Sequence, residues 1–177
     1  HFPIQRKDGA IISERKIIEA KMIIRDCMKT QVYSITESAT ISQAVARLTN
    51  RHVGTLPVVN AAGRLVGVLR LNDLLSLVMP DFVNLLDAFD FAHDFGALET
   101  RQPSQEVMLQ PVVRVMQPAI SVEDTCGLLR AFAILIEHQL TDVLVVNGSR
   151  QLVGVASRVD IGVALLSGWK LPESRSP

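Results

Sequence analysis

The sequence predicts a mixed α/β (α+β) fold in which one small unit of strand, helix, strand, strand and helix is used twice. Three observations lead there. A twenty-residue stretch recurs without a gap, each copy holds two short apolar runs joined by turn residues, and each copy ends in a segment with helical spacing.

The segment LPVVNAAGRLVGVLRLNDLL (56–75) aligns with VLVVNGSRQLVGVASRVDIG (143–162) at a shift of 87 residues, with eight identities in twenty positions. Val58, Val59, Asn60, Leu65, Val66, Gly67, Val68 and Asp73 return as Val145, Val146, Asn147, Leu152, Val153, Gly154, Val155 and Asp160. A shared apolar bias does not produce that agreement. In the first copy Leu56–Val59 is a β-branched run, Asn60-Ala61-Ala62-Gly63 a turn, and Leu65–Leu69 a second apolar run. Together they read as a hairpin of buried strands, and Asn147-Gly148-Ser149 punctuates the second copy in the same way. A helix then opens at Asn72-Asp73 and carries Leu74, Leu75, Leu77 and Val78; its counterpart starts near Asp160 and runs towards Leu166. Asp suits such a start because its carboxylate accepts hydrogen bonds from the first-turn N–H groups.

The front halves are also alike. Asp26-Cys27-Met28-Lys29-Thr30-Gln31-Val32 pairs with Glu106-Val107-Met108-Leu109-Gln110-Pro111-Val112 at a shift of 80. Capping signals follow, Thr40 with Gln43 and Ser121 with Asp124. A shift that grows from 80 to 87 implies a second helix, about Val122 to His138, longer than the first by close to two turns. The expected division is an N-terminal extension over 1–21, a first repeat over 22–79, a helical linker over 80–103, a second repeat over 104–168 and a tail over 169–177. Phe82, Leu85, Leu86 and Phe89 set the apolar face of the linker.

Composition narrows the function. At 48% hydrophobic residues the chain can bury a core, and Lys plus Arg equals Asp plus Glu at 18 each. Nucleic-acid binders draw affinity from neutralised phosphates and usually carry a basic excess, so nucleic acid is not the expected partner. Cys27 and Cys126 form no CxxC pair and read as ordinary buried thiols of a reducing compartment. No apolar run approaches the ~20 residues of a membrane helix, and no signal peptide is visible, so a soluble cytoplasmic protein is expected.

Four elements occur in the same order twice: an Asp/Glu-x-Met lead-in, a capped helix, a strand of the Gly54-Thr55-Leu56-Pro57-Val58-Val59 kind, and a Gly-x-x-x-x-x-Asp ending. In these the chain resembles a tandem pair of CBS domains, a Bateman module, over 22–79 and 104–168. The resemblance implies two CBS repeats of β-α-β-β-α type, related by a pseudo-twofold axis and packed through their short sheets, with two clefts between them. It implies clefts that bind AMP, ADP, ATP or S-adenosylmethionine as a regulatory ligand, not as a catalytic cofactor. The family ending is Gly-h-x-Ser/Thr-x-x-Asp, in which the Asp takes the ribose hydroxyls and the Ser/Thr meets phosphate. A vicinal diol offers two donors to the two oxygens of a carboxylate, and a helix N-terminus favours an anion.

The second copy keeps that motif whole, as Gly154-Val155-Ala156-Ser157-Arg158-Val159-Asp160, and Arg158 is available to pair with phosphate. In the first copy, Gly67-Val68-Leu69-Arg70-Leu71-Asn72-Asp73, Arg70 replaces the Ser/Thr; it either clamps phosphate or fills the cleft. Asp73 and Asp160 also read plainly as helix caps. Thr30, Val32, Gln110 and Val112 are the first-strand candidates beside adenine, with core strand as their alternative role.

Nothing in the sequence forms a catalytic set. His1, His52, His93 and His138 lie in no metalloprotease or nucleophile motif, and no GxxxxGK[ST] phosphate loop occurs, so neither a catalytic nor a metal site is expected. The acids Asp87, Asp90 and Asp94 around His93 read as the polar face of the linker. The expected function is a ligand-sensing regulatory module that signals to a partner, and the alternative is an interaction module without ligand. The apolar helices, with Leu74, Leu75, Leu77, Val78, Ile161, Val163, Leu165 and Leu166, together with zero net charge, predict a homodimer.

Overall fold

The computed structural model describes residues 22–78 and 102–169. The extension expected over 1–21, nearly all of the linker with its acidic cluster, and the tail beyond Trp169 lie outside the described residues.

Each repeat holds one three-stranded sheet flanked by helices. In the first, β1 (Ile35–Thr36) leads to α1 (Ile41–Arg51), then to β2 (Thr55–Val59), β3 (Leu65–Arg70) and α2 (Leu71–Leu75). After a single-turn α3 (Gln105–Met108), the second runs β4 (Ser121–Glu123), α4 (Leu128–Glu137), β5 (Asp142–Val146), β6 (Leu152–Ser157) and α5 (Arg158–Ser167). The sheet orders are β1-β2-β3 and β4-β5-β6, with the first pair parallel and the second antiparallel in each. The expected unit is therefore present twice.

Local chemistry explains the repeated residues. Asn60 Oδ1 accepts the N–H groups of Ala62 and Arg64, and Asn147 Oδ1 those of Ser149 and Gln151, so the same asparagine closes the same turn twice. Gly67 and Gly154 are held by close approach. A Cβ on Gly67 would lie 2.5 Å from Met116 Sδ, and one on Gly154 would lie 2.5 Å from Met28 Sδ.

Those two methionines correct the reading of the lead-in segments. Met28 matches Met116, 88 residues on, and not Met108. Each lead-in packs on the opposite repeat. Ile24 is buried in the core of the second repeat with Val122, Leu128, Ala131, Leu135, Val143, Val145, Ala156 and Ile161. Val112 is buried in the core of the first with Ile35, Ala44, Leu48, Leu56, Val58 and Leu69. Backbone bonds fix the exchange: Ile24 N–H donates to Cys126 O and Lys29 N–H to Val155 O, while Val112 N–H donates to Ala39 O and Gln117 N–H to Val68 O. With the register corrected, the second helix is no longer than the first: α4 has 10 residues and α1 has 11. The cap of α4 is Gly127, and Ser121 lies in β4.

The repeats also meet face to face. Leu65, Val68, Leu144 and Val146 form a third buried cluster between the sheets. Leu65 N–H donates to Arg150 O and Leu152 N–H to Gly63 O, a reciprocal pair consistent with pseudo-twofold symmetry. Of the apolar positions on the last helix, Ile161 is fully buried in its own repeat, whereas Val163 and Leu166 are exposed.

Candidate functional site

Two clefts open where the repeats meet. The first, about 440 Å³, is lined by Arg70, Leu71 and Asn72 of the first repeat and by Ile120, Gln139, Thr141 and Asp142 of the second. The second, about 330 Å³, is lined by Lys29, Val32, Tyr33 and Pro57 of the first repeat and by Leu144 and Val155 of the second. The first joins the β3–α2 junction of the first repeat to the lead-in and second strand of the second. The second joins the first repeat's lead-in and second strand to Leu144 and Val155, and Ser157, Asp160 and Asp73 stand outside both linings. Gly54, Thr55, Asp142 and Leu144 line both.

Ser157 and Asp160 form a complete capping box at the start of α5. Ser157 Oγ accepts Asp160 N–H at 3.1 Å, and Asp160 Oδ2 accepts Ser157 N–H at 2.9 Å and Ser157 Oγ–H at 2.7 Å. Lys29 Nζ, which comes from the lining of the second cleft, stands 3.2 Å from the same Oδ2. Burial opposes the charge on Asp160, but the donors of Ser157 and the Lys29 ammonium outweigh it and hold the carboxyl below its ordinary range. Every bond and ion pair of the Asp160 carboxylate falls on Oδ2, and α5, ten residues long, adds a helix N-terminus beside them.

Asp73 occupies the same place in the first repeat with less around it. Its Oδ2 accepts the Arg70 N–H at 2.7 Å, but α2 has only five residues. Thus the aspartates stand at the third helical position and cap from there; the cap residues themselves are Ser157 and Arg70.

The remaining candidates divide. Val32 lines the second cleft and Arg70 the first, while Thr30 is exposed beside Lys29. Arg158 is bound elsewhere: its Nε donates to Leu140 O at 2.6 Å and its Nη2 to Leu135 O at 3.4 Å, tying α5 to the end of α4. Gln110 and Val112 line neither cleft. The Gln110 carbonyl accepts Ile41 N–H, and Val112 is wholly buried, because the lead-in of the second repeat packs on the first. The residues equivalent to Thr30 and Val32 at a shift of 88 are Pro118 and Ile120, and Ile120 does line the first cleft. Lys29, Tyr33, Thr141 and Asp142 were not singled out from sequence. The correct lead-in register would have shown Ile120, and the shift of 87 carries Gly54-Thr55 onto Thr141-Asp142.

Paired three-stranded sheets, exchanged lead-ins and two clefts where the repeats meet define a tandem two-repeat module. The profile of the CBS domain matches residues 24–80 and 106–167, and the chain belongs to the CBS-domain family. The chain is 23% identical over 175 residues to "Uncharacterized protein MJ1426" of Methanocaldococcus jannaschii, covering 88% of this chain and 98% of that protein. It is 34% identical over 65 residues to the A-adding tRNA nucleotidyltransferase of Aquifex aeolicus, covering 37% of this chain but 8% of that enzyme. Among solved structures it resembles CBSX2 of Arabidopsis thaliana in complex with AMP, with a TM-score of 0.61, 24% identity, and coverage of 82% of this chain and 96% of that one. It also resembles the CBS domain of the bacterial CNNM/CorC family Mg2+ transporter in complex with ATP, with a TM-score of 0.61, 15% identity, and coverage of 86% and 93%. These structural likenesses are of fold. Among the described residues no helix is long and apolar enough to cross a membrane.

Proposed function

We propose that this chain is a regulatory module that senses an adenine nucleotide, AMP, ADP, ATP or S-adenosylmethionine, in the cleft beside Ser157 and Asp160. The observation that carries the reading is the Asp160 carboxylate at the N-terminus of α5, below its ordinary pKa and linked through Lys29 to the cleft wall. Charged at neutral pH, it is a suitable acceptor for a ribose diol. Val32, Tyr33, Pro57, Leu144 and Val155 supply apolar surface for a flat base. The volumes of both clefts, about 330 and 440 Å³, fall within the range of small-molecule sites. AMP and ATP in the two similar structures support the same ligand class.

The first cleft differs in its cation. Arg70 lines it and lacks the Ser/Thr hydroxyl, so it favours ligands with more phosphates, ADP and ATP over AMP. Signalling to a partner would pass through the rigid-body relation of the repeats, since each cleft is walled by both. The module acts as a homodimer in this reading. Leu129 and Ile136 on α4, with Val159, Val163 and Leu166 on α5, are each at least half exposed, apolar surface that a second copy would cover.

Titration calorimetry of the purified chain with AMP, ADP, ATP and S-adenosylmethionine tests the proposal. Saturation at about 100 times the dissociation constant adds about 2.7 kcal/mol of stability, readable as a rise in melting temperature. No heat and no thermal shift with any of the four would leave the interaction-module reading standing.

A further inference from the structure

We infer that Lys29 is the phosphate-reading cation of the second cleft, the counterpart from the opposite wall of Arg70 in the first. The inference rests on the nucleotide reading above. Among the described residues, the lining of each cleft contains a single basic side chain: Arg70 in the first and Lys29 in the second. The two come from different elements. Arg70 belongs to the motif at the end of β3, whereas Lys29 belongs to the lead-in that crosses from the first repeat onto β6 of the second.

The pseudo-symmetry makes this a substitution of one side for the other. At the position equivalent to Arg70 the second repeat has Ser157, and at the position equivalent to Lys29 it has Gln117. The backbones superpose in role: Lys29 exchanges N–H and C=O bonds with Val155, at 2.8 and 3.0 Å, and Gln117 does so with Val68, at 2.8 and 2.9 Å. Where the motif carries the cation, the lead-in is neutral; where the motif carries a hydroxyl, the lead-in carries the cation.

Lys29 is also placed for the task. Its backbone is fixed on β6, while its side chain is 65% exposed and its ammonium lies 3.2 Å from Asp160 Oδ2. A flexible four-carbon stem lets that ammonium stay beside the carboxylate that takes the diol while turning a donor towards the phosphate of the same ligand. Arg158, the alternative cation on α5, is held by the Leu140 and Leu135 carbonyls. A merely structural ion pair at this exposure contributes little to stability.

The test compares AMP with adenosine, which share base and ribose and differ in the phosphate. Calorimetric affinities are measured for wild type, Lys29→Gln and Lys29→Arg, after melting temperatures show that the variants fold. Lys29→Gln, which copies the first cleft, is expected to weaken AMP about tenfold, the loss of a charge-assisted bond, and to leave adenosine within about twofold. Lys29→Arg should restore most of the preference for AMP. An unchanged AMP-to-adenosine ratio in Lys29→Gln, or an equal loss for both ligands, overturns the role. If wild type binds neither AMP nor adenosine, this inference falls, and the nucleotide reading falls with it only when ADP, ATP and S-adenosylmethionine give no heat as well. Binding of both with an unaltered ratio overturns the Lys29 assignment alone.

Discussion

Replacing Asp160 by Ala removes two functions that can be measured separately. In the fold its Oδ2 caps the Ser157 N–H at 2.9 Å, and loss of a cap costs about 0.5–2 kcal/mol. That cost is shared by any chain with the same box, whether or not it binds anything, and shows as a lower melting temperature. In the proposed site the same carboxylate accepts the ribose hydroxyls, and a hydrogen bond to a charged group contributes about 1.5–3 kcal/mol. At about 1.4 kcal/mol per decade, AMP affinity should fall by roughly 10- to 150-fold. Asp160→Asn separates the parts, because the amide keeps one acceptor oxygen for the cap but loses the charge. Its stability should lie between wild type and Asp160→Ala, and its AMP affinity should fall with the charge. Calorimetry at 25 °C, with thermal unfolding of the ligand-free variants, reads both effects. If Asp160→Ala loses stability but binds AMP within twofold of wild type, the aspartate is a cap only and the ribose assignment is wrong.

Three further outcomes are expected. Asp160 has its folded pKa below the unfolded value near 3.9, so its stabilisation is complete above that value and is lost as pH falls through the folded pKa. Between pH 5 and 3, wild type should therefore lose more melting temperature than Asp160→Asn; parallel pH profiles would contradict the charge assigned to this group. Gly154→Ala places a Cβ 2.5 Å from Met28 Sδ and 3.2 Å from Lys29 O, and should cost about 1–3 kcal/mol, or about 2–4 °C per kcal/mol in melting temperature. Gly148→Ala, with nothing within 4 Å of the new atom, is the control, and equal melting temperatures for the two would refute the exchanged lead-in. Val163→Glu, at a position 58% exposed on α5, should convert a species of about twice 19.4 kDa into one of 19.4 kDa by light scattering, and a wild-type monomer at every concentration would refute the dimer.

The two repeats, their strand–helix order and the second motif are legible in the chain because they rest on local rules. An asparagine closes its own turn, a Ser-x-x-Asp box caps its own helix, and apolar runs of β-branched residues pair as neighbouring strands. What the chain could not show by itself is where each lead-in goes. Ile24 and Val112 look like ordinary apolar residues ahead of their own repeats, yet each is buried in the core of the other. That crossing set the true register of Met28 on Met116, excluded Gln110 and Val112 from the clefts, and brought Lys29 to Asp160 across 131 positions of sequence. Arg158 likewise reads as free for phosphate until α5 packs on α4, where the C-terminal end of α4 and the residues after it present the Leu135 and Leu140 carbonyls to it. Local hydrogen bonding and side-chain periodicity act over a few residues and are written in the order of the chain. The clefts are made by surfaces far apart in that order, and only the burial of apolar side chains in one another's repeat decides which of them meet.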